Sequence, residues 1–409
     1  MESLRHFYRN LPSPVRTLVA PFKKAFGMAT DARSEVWLLS GRELSSGAPL
    51  SLGFCGTANL KNYLARKMFR DAFEERTLGR HFVFHALDVA RRVDQHMALF
   101  ACEIPRSLEG VYRPKTFALL PVWTRMDVDL APESPLWETK KFKQSLKRVS
   151  KERLVLENTT DIKRFEAFYR DVYLPYVVVR HEGAAVTDSF ETALRKFVDE
   201  GRELMLLSRR GQLLGGMVIG TEEGVGRTWI LGIPKTEDEE DATSDVSNLL
   251  YYFAVLRARE RGFRTLNMGY SRPLLSDGII RYKTDWAARL TNQRSPGSGL
   301  LALHVLHESP ALKQFLFNNP FVACDSPEHF TVYGFVQGDG VDAAAIQSWE
   351  HRYGMPGKIK LRVFSLWPNI RHLTPDLCKP EAQLGEVGET ESSLPPLTRC
   401  VTQSSRSTP

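Results

Sequence analysis

Two tyrosines and a lysine, residue types that can move protons and stabilise negative charge, lie in one short stretch, NMGYSRPLLSDGIIRYKTDWAARL, at residues 267–290. Tyr270 follows a glycine at the end of an apolar run, and Tyr282 directly precedes Lys283. A lysine ammonium can stabilise a tetrahedral intermediate or bind a phosphate, and a tyrosine can protonate a leaving group. The alternative is that the tyrosines pack in the core and the lysine reaches solvent along its aliphatic stem.

The same stretch contains backbone features that allow a close approach to a ligand. Gly269 ends the strand-like run RTLNMG and has no side chain to keep a bound group away. Asp277 and Gly278 form a turn signal, and Asp277 is predicted to cap the helix that follows. Lys283 would then lie about one and a half turns into that helix, where it can face a cleft.

A second set of candidates lies at the end of the aromatic segment, residues 161–178, and just after it. Tyr176 and Arg180 are candidates for substrate binding. His181 is a candidate general base, because imidazole titrates near neutral pH, although a single histidine also suits a hydrogen-bonded structural role. The sequence contains no phosphate-binding loop, nucleophile elbow, dinucleotide fingerprint or metal-ligand spacing.

A strongly basic segment, ETKKFKQSLKRVSKERL, occupies residues 138–154. Phe142, Leu146 and Val149 recur at helical spacing, which predicts a helix with one apolar face. The cationic faces include Arg148. They fit either a solvated connecting helix or a helix that contacts phosphates.

The elements around these candidates follow a regular order. Helices are predicted for the aromatic segment and for residues 189–201. Residues 203–233 predict three antiparallel strands that turn at glycines. A capped helix at 246–261 and a strand at 264–268 come next and lead into the Tyr-Lys stretch.

Composition divides the chain into a basic N-terminal arm (1–34), an α/β lobe (35–136), a larger lobe with a C-terminal extension (137–376) and a tail (377–409). The tail is poor in large apolar residues and is predicted to be disordered. In the first lobe, residues 60–73 predict a helix and residues 81–89 predict a strand.

The overall charge and the cysteines restrict the partners and the compartment. A net charge of +7 favours anionic partners. Five cysteines without CxxC spacing indicate neither a disulfide framework nor a zinc site, so a cytoplasmic location is predicted. The basic arm could also contact a membrane surface, and the alternative is an ordinary packed or frayed arm.

This order of elements resembles the GNAT acyl-CoA N-acyltransferase superfamily, within it the FemAB-like branch of aminoacyltransferases and their acetyltransferase relatives. The motif is a glycine-ended strand, a loop and a short helix with a Tyr-Lys pair, at Gly269, Gly278, Tyr282 and Lys283. The resemblance covers about residues 137–290 and, more weakly, residues 35–135. The resemblance implies an α/β (mixed α+β) fold with two GNAT-like lobes and a central mixed, largely antiparallel sheet.

The resemblance also implies roles for the candidates. The catalytic residues would be Lys283, Tyr270, Tyr282 and His181. The acyl-CoA co-substrate, such as acetyl-CoA, would contact Gly232, Ser247, Asn248, Gly269 and Ser271, in a gap where neighbouring strands splay apart. The acceptor would contact Tyr176, Arg180, Arg148 and Asp277. No metal is implied.

The segment where many GNAT enzymes bind the coenzyme A pyrophosphate is acidic in this chain. The run EDEED at residues 237–241 would repel phosphate. The donor is therefore open between acyl-CoA and aminoacyl-tRNA. The leading hypothesis is acyl transfer to an amine, with a hydroxyl as the second choice, of a cell-envelope or polysaccharide-related acceptor, either a small molecule or one linked to a lipid or nucleotide. The alternative is a protein of this fold that binds an anionic ligand or a partner without catalysis.

Overall fold

The computed structural model describes residues 33–181, 187–234, 240–294, 299–326, 329–336, 347 and 360–365. The strands are β1 (Arg33–Arg42), β2 (Pro49–Gly56), β3 (Glu74–Phe82), β4 (Leu99–Ile104), β5 (Ala118–Pro121), β6 (Thr124–Asp129), β7 (Leu154–Thr159), β8 (Glu203–Arg209), β9 (Gln212–Glu222), β10 (Val225–Gly232), β11 (Thr265–Ser271), β12 (Arg289–Arg294), β13 (Leu300–Val305), β14 (Phe321–Ser326), β15 (His329–Val336) and β16 (Lys360–Ser365). The helices are α1 (Ala58–Met68), α2 (Val83–Val93), α3 (Glu109–Tyr112), α4 (Lys140–Lys151), α5 (Ile162–Ala167), α6 (Leu174–His181), α7 (Phe190–Asp199), α8 (Glu240–Glu260), α9 (Gly278–Thr284) and α10 (Pro310–Asn318). A π-helical segment, Phe168–Tyr173, joins α5 to α6.

The first of two compact units contains the described residues up to Leu119 together with Gly299–Phe315. Its six-stranded sheet has the order β3-β1-β2-β4-β13-β5. β1 pairs antiparallel with β2 and β3, whereas β2 and β4 are parallel. The sheet is therefore mixed.

Two local predictions in the first unit are wrong. Most of residues 81–89, predicted as a strand, forms α2. Its aromatic and β-branched residues favour a strand, but the buried Val83, Ala86 and Ala90 recur every three or four residues and form a helical face. The helix predicted at 60–73 ends with α1, because the following residues turn into the edge strand β3.

The second unit contains a seven-stranded sheet with the order β12-β6-β11-β10-β9-β8-β7. β8, β9 and β10 form an antiparallel meander, α8 follows, and β11 lies parallel to β10. The strands predicted at 203–233, the helix at 246–261 and the strand at 264–268 are thus confirmed. The predicted fold class, an α/β fold with a mixed and largely antiparallel sheet, is confirmed as well.

The aromatic segment forms the core between the helices and the meander. Phe165, Tyr169 and Phe197 are almost completely buried and pack with Val218 of β9. The rings of Phe165 and Phe197 stack with their centroids 4.2 Å apart. Most of the aromatic stripe therefore has a packing function.

Two glycines let the π-helical segment lie directly against the sheet. A Cβ atom at Gly216 would lie 2.6 Å from Phe168 Cε2, and one at Gly232 would lie 2.9 Å from Tyr173 Cα. Contacts that short are not possible, so any side chain at Gly232 would push against helix backbone. The glycine at this position has a packing reason that is independent of cofactor binding.

The strands β10 and β11 separate soon after they meet. Their pairing ends at Arg227 and Asn267. The register of β10 with β9 shifts between Thr228 and Leu231, and that of β11 with β6 shifts between Asn267 and Tyr270. Such shifts bend strands and leave backbone groups outside the ladder. They agree with the gap between neighbouring strands that the GNAT resemblance implies.

The basic segment forms α4, but its apolar face differs from the prediction. Phe142 is buried, with its ring 5.1 Å from those of Trp137 and Tyr252. Leu146, predicted to be on the same face, is 48% exposed. The buried face instead continues through Ser145, which lies three residues after Phe142.

Strand pairing crosses the predicted domain boundary near residue 136 in both directions. β6 precedes the boundary but joins the second sheet, and β13 follows it but joins the first. The boundaries themselves stay predictions. The basic arm up to residue 32, residues 237–239 of the acidic run and the tail 377–409 lie outside the described residues. Within the described part of the chain, no helix is both long and apolar enough to cross a membrane.

The contact between Gly232 and the π-helical segment can be tested by adding one methyl group. Gly232→Ala should lower the free energy of unfolding by about 1–3 kcal/mol, because the methyl meets backbone that cannot move aside. Gly278→Ala is the control, since a Cβ there has no neighbour within 4 Å. Urea unfolding measures both variants, and equal stabilities would show that the helix can retreat from the sheet.

Candidate active site

Lys283 is the centre of the candidate site, and it is buried. Only 3% of the residue is exposed. Its Nζ donates to Gly269 O at 2.8 Å, Tyr270 O at 3.1 Å and Ser271 Oγ at 2.9 Å. An ammonium has three donors, and each has an acceptor in β11. The alternative that Lys283 reaches solvent is therefore wrong.

Burial gives Lys283 an unusual pKa. Loss of hydration lowers the pKa from its ordinary value of 10.5 to about 7. Asp277 and Asp127 oppose this shift, and Arg227 reinforces it. Lys283 therefore changes its charge near neutral pH.

The group that lies against the backbone of Gly269 is Lys283, and the predicted approach of a ligand to this backbone stays a prediction. Gly269 has φ of +81°, a left-handed conformation that disfavours residues with a side chain. A Cβ atom there would lie 3.9 Å from Lys283 Nζ. The Gly269 N–H donates to Asn267 Oδ1 at 2.7 Å. Both backbone polar groups of Gly269 are thus bound by side chains.

Tyr270 belongs to a polar network around Glu222. Its hydroxyl lies 3.3 and 3.2 Å from the two Glu222 carboxylate oxygens. The same carboxylate accepts from Asn267 Nδ2 at 2.8 Å and from the Arg227 guanidinium. The guanidinium carbon also lies 5.1 Å from the centre of the Tyr270 ring. The Tyr270 hydrogen is therefore directed at a carboxylate.

Tyr282 is turned away from Lys283 and toward α8. Its hydroxyl donates to Asn248 Oδ1 at 2.9 Å, and its ring lies 5.6 Å from that of Tyr251. Consecutive residues of a helix point about 100° apart, so Tyr282 and Lys283 reach different partners. This brings two predicted residues, Tyr282 and Asn248, together. Ser247, next to Asn248, is buried.

The loop that leads from β11 into α9 is held by the C-terminal extension. Asp277 caps α9 with its side chain, as predicted. Leu275 N donates to Pro320 O at 2.8 Å, and the Ser276 hydroxyl donates to Asn319 Oδ1 at 2.6 Å. These bonds fix the start of α9 and thereby the position of Lys283.

The remaining predicted residues make other contacts, lie on α6, or have side chains outside the described residues. Arg148 donates to Glu152 at 2.5 Å and to Asp245 at 2.7 Å, near the start of α8. Tyr176 is half-buried on α6. Arg180 and His181 end that helix, but their side chains lie outside the described residues. The roles given to all of them stay predictions.

Glu222 and Asn267 are two members of the site that sequence reasoning did not select. Glu222 immediately precedes the predicted turn at Glu223 and Gly224, and Asn267 lies inside an apolar strand. A polar residue between Leu266 and Met268 is the usable signal, because a buried amide must find partners for both ends. Its partner Glu222 could not be found this way, because it lies far away in sequence.

A separate cavity of about 840 Å³ lies in the first unit, between β1, β2 and the residues around His96 and His307. None of the candidate residues above lines it. Among the described residues, no group of three or more His, Cys, Asp or Glu side chains could hold a metal ion.

No family model and no curated protein matches this sequence. The chain is similar to several solved structures. One is the C-terminal domain of a putative lysylphosphatidylglycerol synthetase from Agrobacterium fabrum, with 13% identity, 68% of this chain and 83% of that chain covered, and a TM-score of 0.34. Another is FemX, with 12% identity, 68% and 86% covered, and a TM-score of 0.33. A third is a tandem GNAT protein from the clavulanic acid biosynthesis pathway, with 14% identity, 65% and 82% covered, and a TM-score of 0.29. FemX and the tandem GNAT protein carry the names to which the sequence resemblance pointed.

Lys283 predicts a characteristic dependence of stability on pH. Between pH 7 and its ordinary pKa of 10.5, the unfolded chain binds a proton that the folded chain releases. The destabilisation is complete below about pH 7 and disappears as the pH rises toward 10.5. Lys283→Met removes this titration. The free energy of unfolding of the native chain, minus that of the variant, should therefore rise by up to about 1.4 kcal/mol per pH unit.

Urea unfolding of both proteins at several pH values between about 7 and 10 measures this difference. The absolute stability of the variant is not the test, because methionine also leaves the carbonyl acceptors unpaired. A difference that stays constant with pH would mean that Lys283 titrates as an ordinary lysine.

Proposed function

We propose that this protein transfers an acyl group from a thioester or ester donor to an amine. The observation that carries the proposal is the buried Lys283 ammonium at the point where β10 and β11 separate. A desolvated lysine costs stability, so a chain that needs only a stable fold would place an apolar residue there. The Tyr270–Glu222 pair beside it supplies a group that can move a proton.

The reacting carbonyl would lie in the gap between β10 and β11, against the strand edges. Negative charge then develops on its oxygen as the amine attacks. Lys283 is held by three fixed acceptors and is shielded from water, so its positive charge acts strongly on a nearby oxyanion and needs no reorganisation. All three of its hydrogens bond to β11, and its contribution is therefore the field of its charge.

The proton of the attacking amine would leave through Tyr270. Because this hydroxyl donates to Glu222, its oxygen is able to accept, and a proton taken from the nitrogen can pass on to the carboxylate. The C–N bond forms, the bond from the carbonyl carbon to sulfur or oxygen breaks, and the proton returns to the leaving group. Tyr270 then relays a proton to Glu222. This differs from the role predicted from the sequence, in which Tyr270 is an acid that protonates the leaving group.

The donor we favour is an acyl-CoA such as acetyl-CoA, and the acceptor is an amine of a cell-envelope or polysaccharide-related molecule, which can be linked to a lipid or nucleotide. Aminoacyl-tRNA is the second candidate donor. It is favoured by the exposed lysines on one face of α4, at Lys140, Lys147 and Lys151. The cytoplasmic location and the membrane contact through residues 1–34 belong to the same proposal.

A donor screen tests the function. Thermal shifts with acetyl-CoA, longer acyl-CoAs and free coenzyme A should reveal stabilisation by a thioester, followed by thiol release on addition of amine acceptors. Steep salt dependence of tRNA binding, with transfer from charged tRNA, would select the second donor. Binding without transfer from either donor class would favour the non-catalytic alternative and remove the enzyme proposal.

Lys283→Met should lower kcat by roughly 10²–10³, as expected for the loss of one group that stabilises the oxyanion, with little change in KM. The methionine keeps most of the aliphatic stem. The control is Lys163→Met, which removes an exposed lysine on α5. A folded Lys283→Met variant with native kcat would remove the role of Lys283, and a change in KM alone would turn it into a binding residue.

A further inference from the structure

Asn267 connects Glu222, at one end of the polar network, with the backbone that binds Lys283 at the other end. The residue is 0% exposed, and both ends of its amide are bonded. Nδ2 donates to Glu222 Oε2 at 2.8 Å, and Oδ1 accepts from Gly269 N at 2.7 Å. Gly269 O in turn accepts from Lys283 at 2.8 Å. A continuous series of contacts thus runs from Glu222 to Lys283.

Glu222 determines which way round the amide of Asn267 lies. Its carboxylate can only accept, and it already receives Tyr270 and Arg227 as donors. The NH₂ end of the Asn267 amide must therefore face Glu222, and its oxygen must face Gly269 N. A neutral side chain at position 222 could itself donate and would allow the reverse orientation.

The orientation of Asn267 matters because Gly269 has left the regular ladder. The register of β11 with β6 shifts between Asn267 and Tyr270, so the Asn267 side chain supplies the acceptor that a neighbouring strand would otherwise offer. This contact stabilises Gly269 at φ of +81°, with its carbonyl oxygen directed at Nζ of Lys283.

We propose that Glu222 is a positioning residue for Lys283, acting through Asn267 and the Gly269 carbonyl, in addition to its place in proton transfer. Loss of the Glu222 charge would remove the constraint on the orientation of the Asn267 amide. The Asn267–Gly269 hydrogen bond would become weaker, and the charged form of Lys283 would become less favourable. The relevance to catalysis rests on the proposed function, but the positioning itself can be measured without any substrate.

The charged groups around Lys283 determine the direction in which its pKa should change when Glu222 is replaced. Asp277, Asp127 and Arg227 act on Lys283. Glu222→Gln leaves Arg227 without its carboxylate and weakens an acceptor of the ammonium, and both effects disfavour the charged lysine. The pKa of Lys283 should fall by roughly 0.5 to 1 unit, the size of one weakened hydrogen bond.

Side-chain NMR of ¹³C-labelled lysine measures this pKa, with the Lys283 signal assigned by its absence in Lys283→Met. Two variants serve as controls. Glu223→Gln removes the adjacent carboxylate, which is 60% exposed, and should leave the titration of Lys283 unchanged. Tyr270→Phe removes the hydroxyl relay but keeps the Glu222–Asn267 bond, so it should lower activity and hardly move the titration.

Identical Lys283 titrations in Glu222→Gln and Glu223→Gln would overturn the proposal, and so would a larger shift in Tyr270→Phe than in Glu222→Gln. If Glu222→Gln does not fold, hydrogen exchange measured on the native chain is the test. The Asn267 side-chain NH₂ must be protected at neutral pH, and an unprotected NH₂ would overturn the proposal.

The outcomes for the two proposals can be told apart. If Glu222→Gln shifts the titration of Lys283 but the native chain transfers no acyl group, the positioning role is supported and the enzyme proposal fails. If the native chain transfers an acyl group but Glu222→Gln leaves the titration of Lys283 unchanged, the enzyme proposal is supported and the positioning role fails.

Discussion

A lysine ammonium taken out of water loses its hydration, and the protein has to provide acceptors in its place. For Lys283 these acceptors are two carbonyls and a hydroxyl of β11. The Gly269 carbonyl is available because this residue lies where the pairing of β11 changes register. The separation of the strands and the buried charge therefore depend on each other. Without Lys283 the Gly269 carbonyl would be short of a donor, and with regular pairing Lys283 would be short of an acceptor.

The surrounding structure keeps this arrangement rigid from several sides. Gly232 and Gly216 allow the π-helical segment to press on the sheet near the end of β10. The bonds of Leu275 and Ser276 to residues 319–320 fix the loop before α9. Tyr282 anchors the other face of α9 on Asn248. Preorganisation of this kind is what a charge needs in order to act on a transition state without first rearranging.

Much of the second unit could be predicted from sequence, because glycine turns, capping residues and hydrophobic periodicity are local signals. The same signals placed Lys283 on a short capped helix after a glycine-ended strand. They could not show that its partner would be the strand backbone, because that depends on how far β10 and β11 diverge. Residues 81–89 were misassigned because a short apolar run fits either a strand or a helix. The places of β6 and β13 were missed because strand pairing at long range leaves no local pattern.

The charges around the gap bear on what can bind there. Arg125 pairs with Asp127 and Glu223, and Arg227 pairs with Glu222. Asp277, Asp127 and Arg227 act electrostatically on Lys283. Opposite charges of similar number leave little net field, so the gap suits an uncharged acyl carbonyl better than a pyrophosphate. Arg148, which could have held a phosphate near α8, is already neutralised by Glu152 and Asp245. A phosphorylated donor would therefore have to be recognised mainly through its acyl end and through cations other than Arg148. The balance at the gap also depends on pH, because burial lowers the pKa of Lys283 to about 7, so its ammonium loses the positive charge as the pH rises through that value. Loss of this positive charge disfavours an oxyanion, so under the proposed function the burial of Lys283 would also set an upper pH limit for its action.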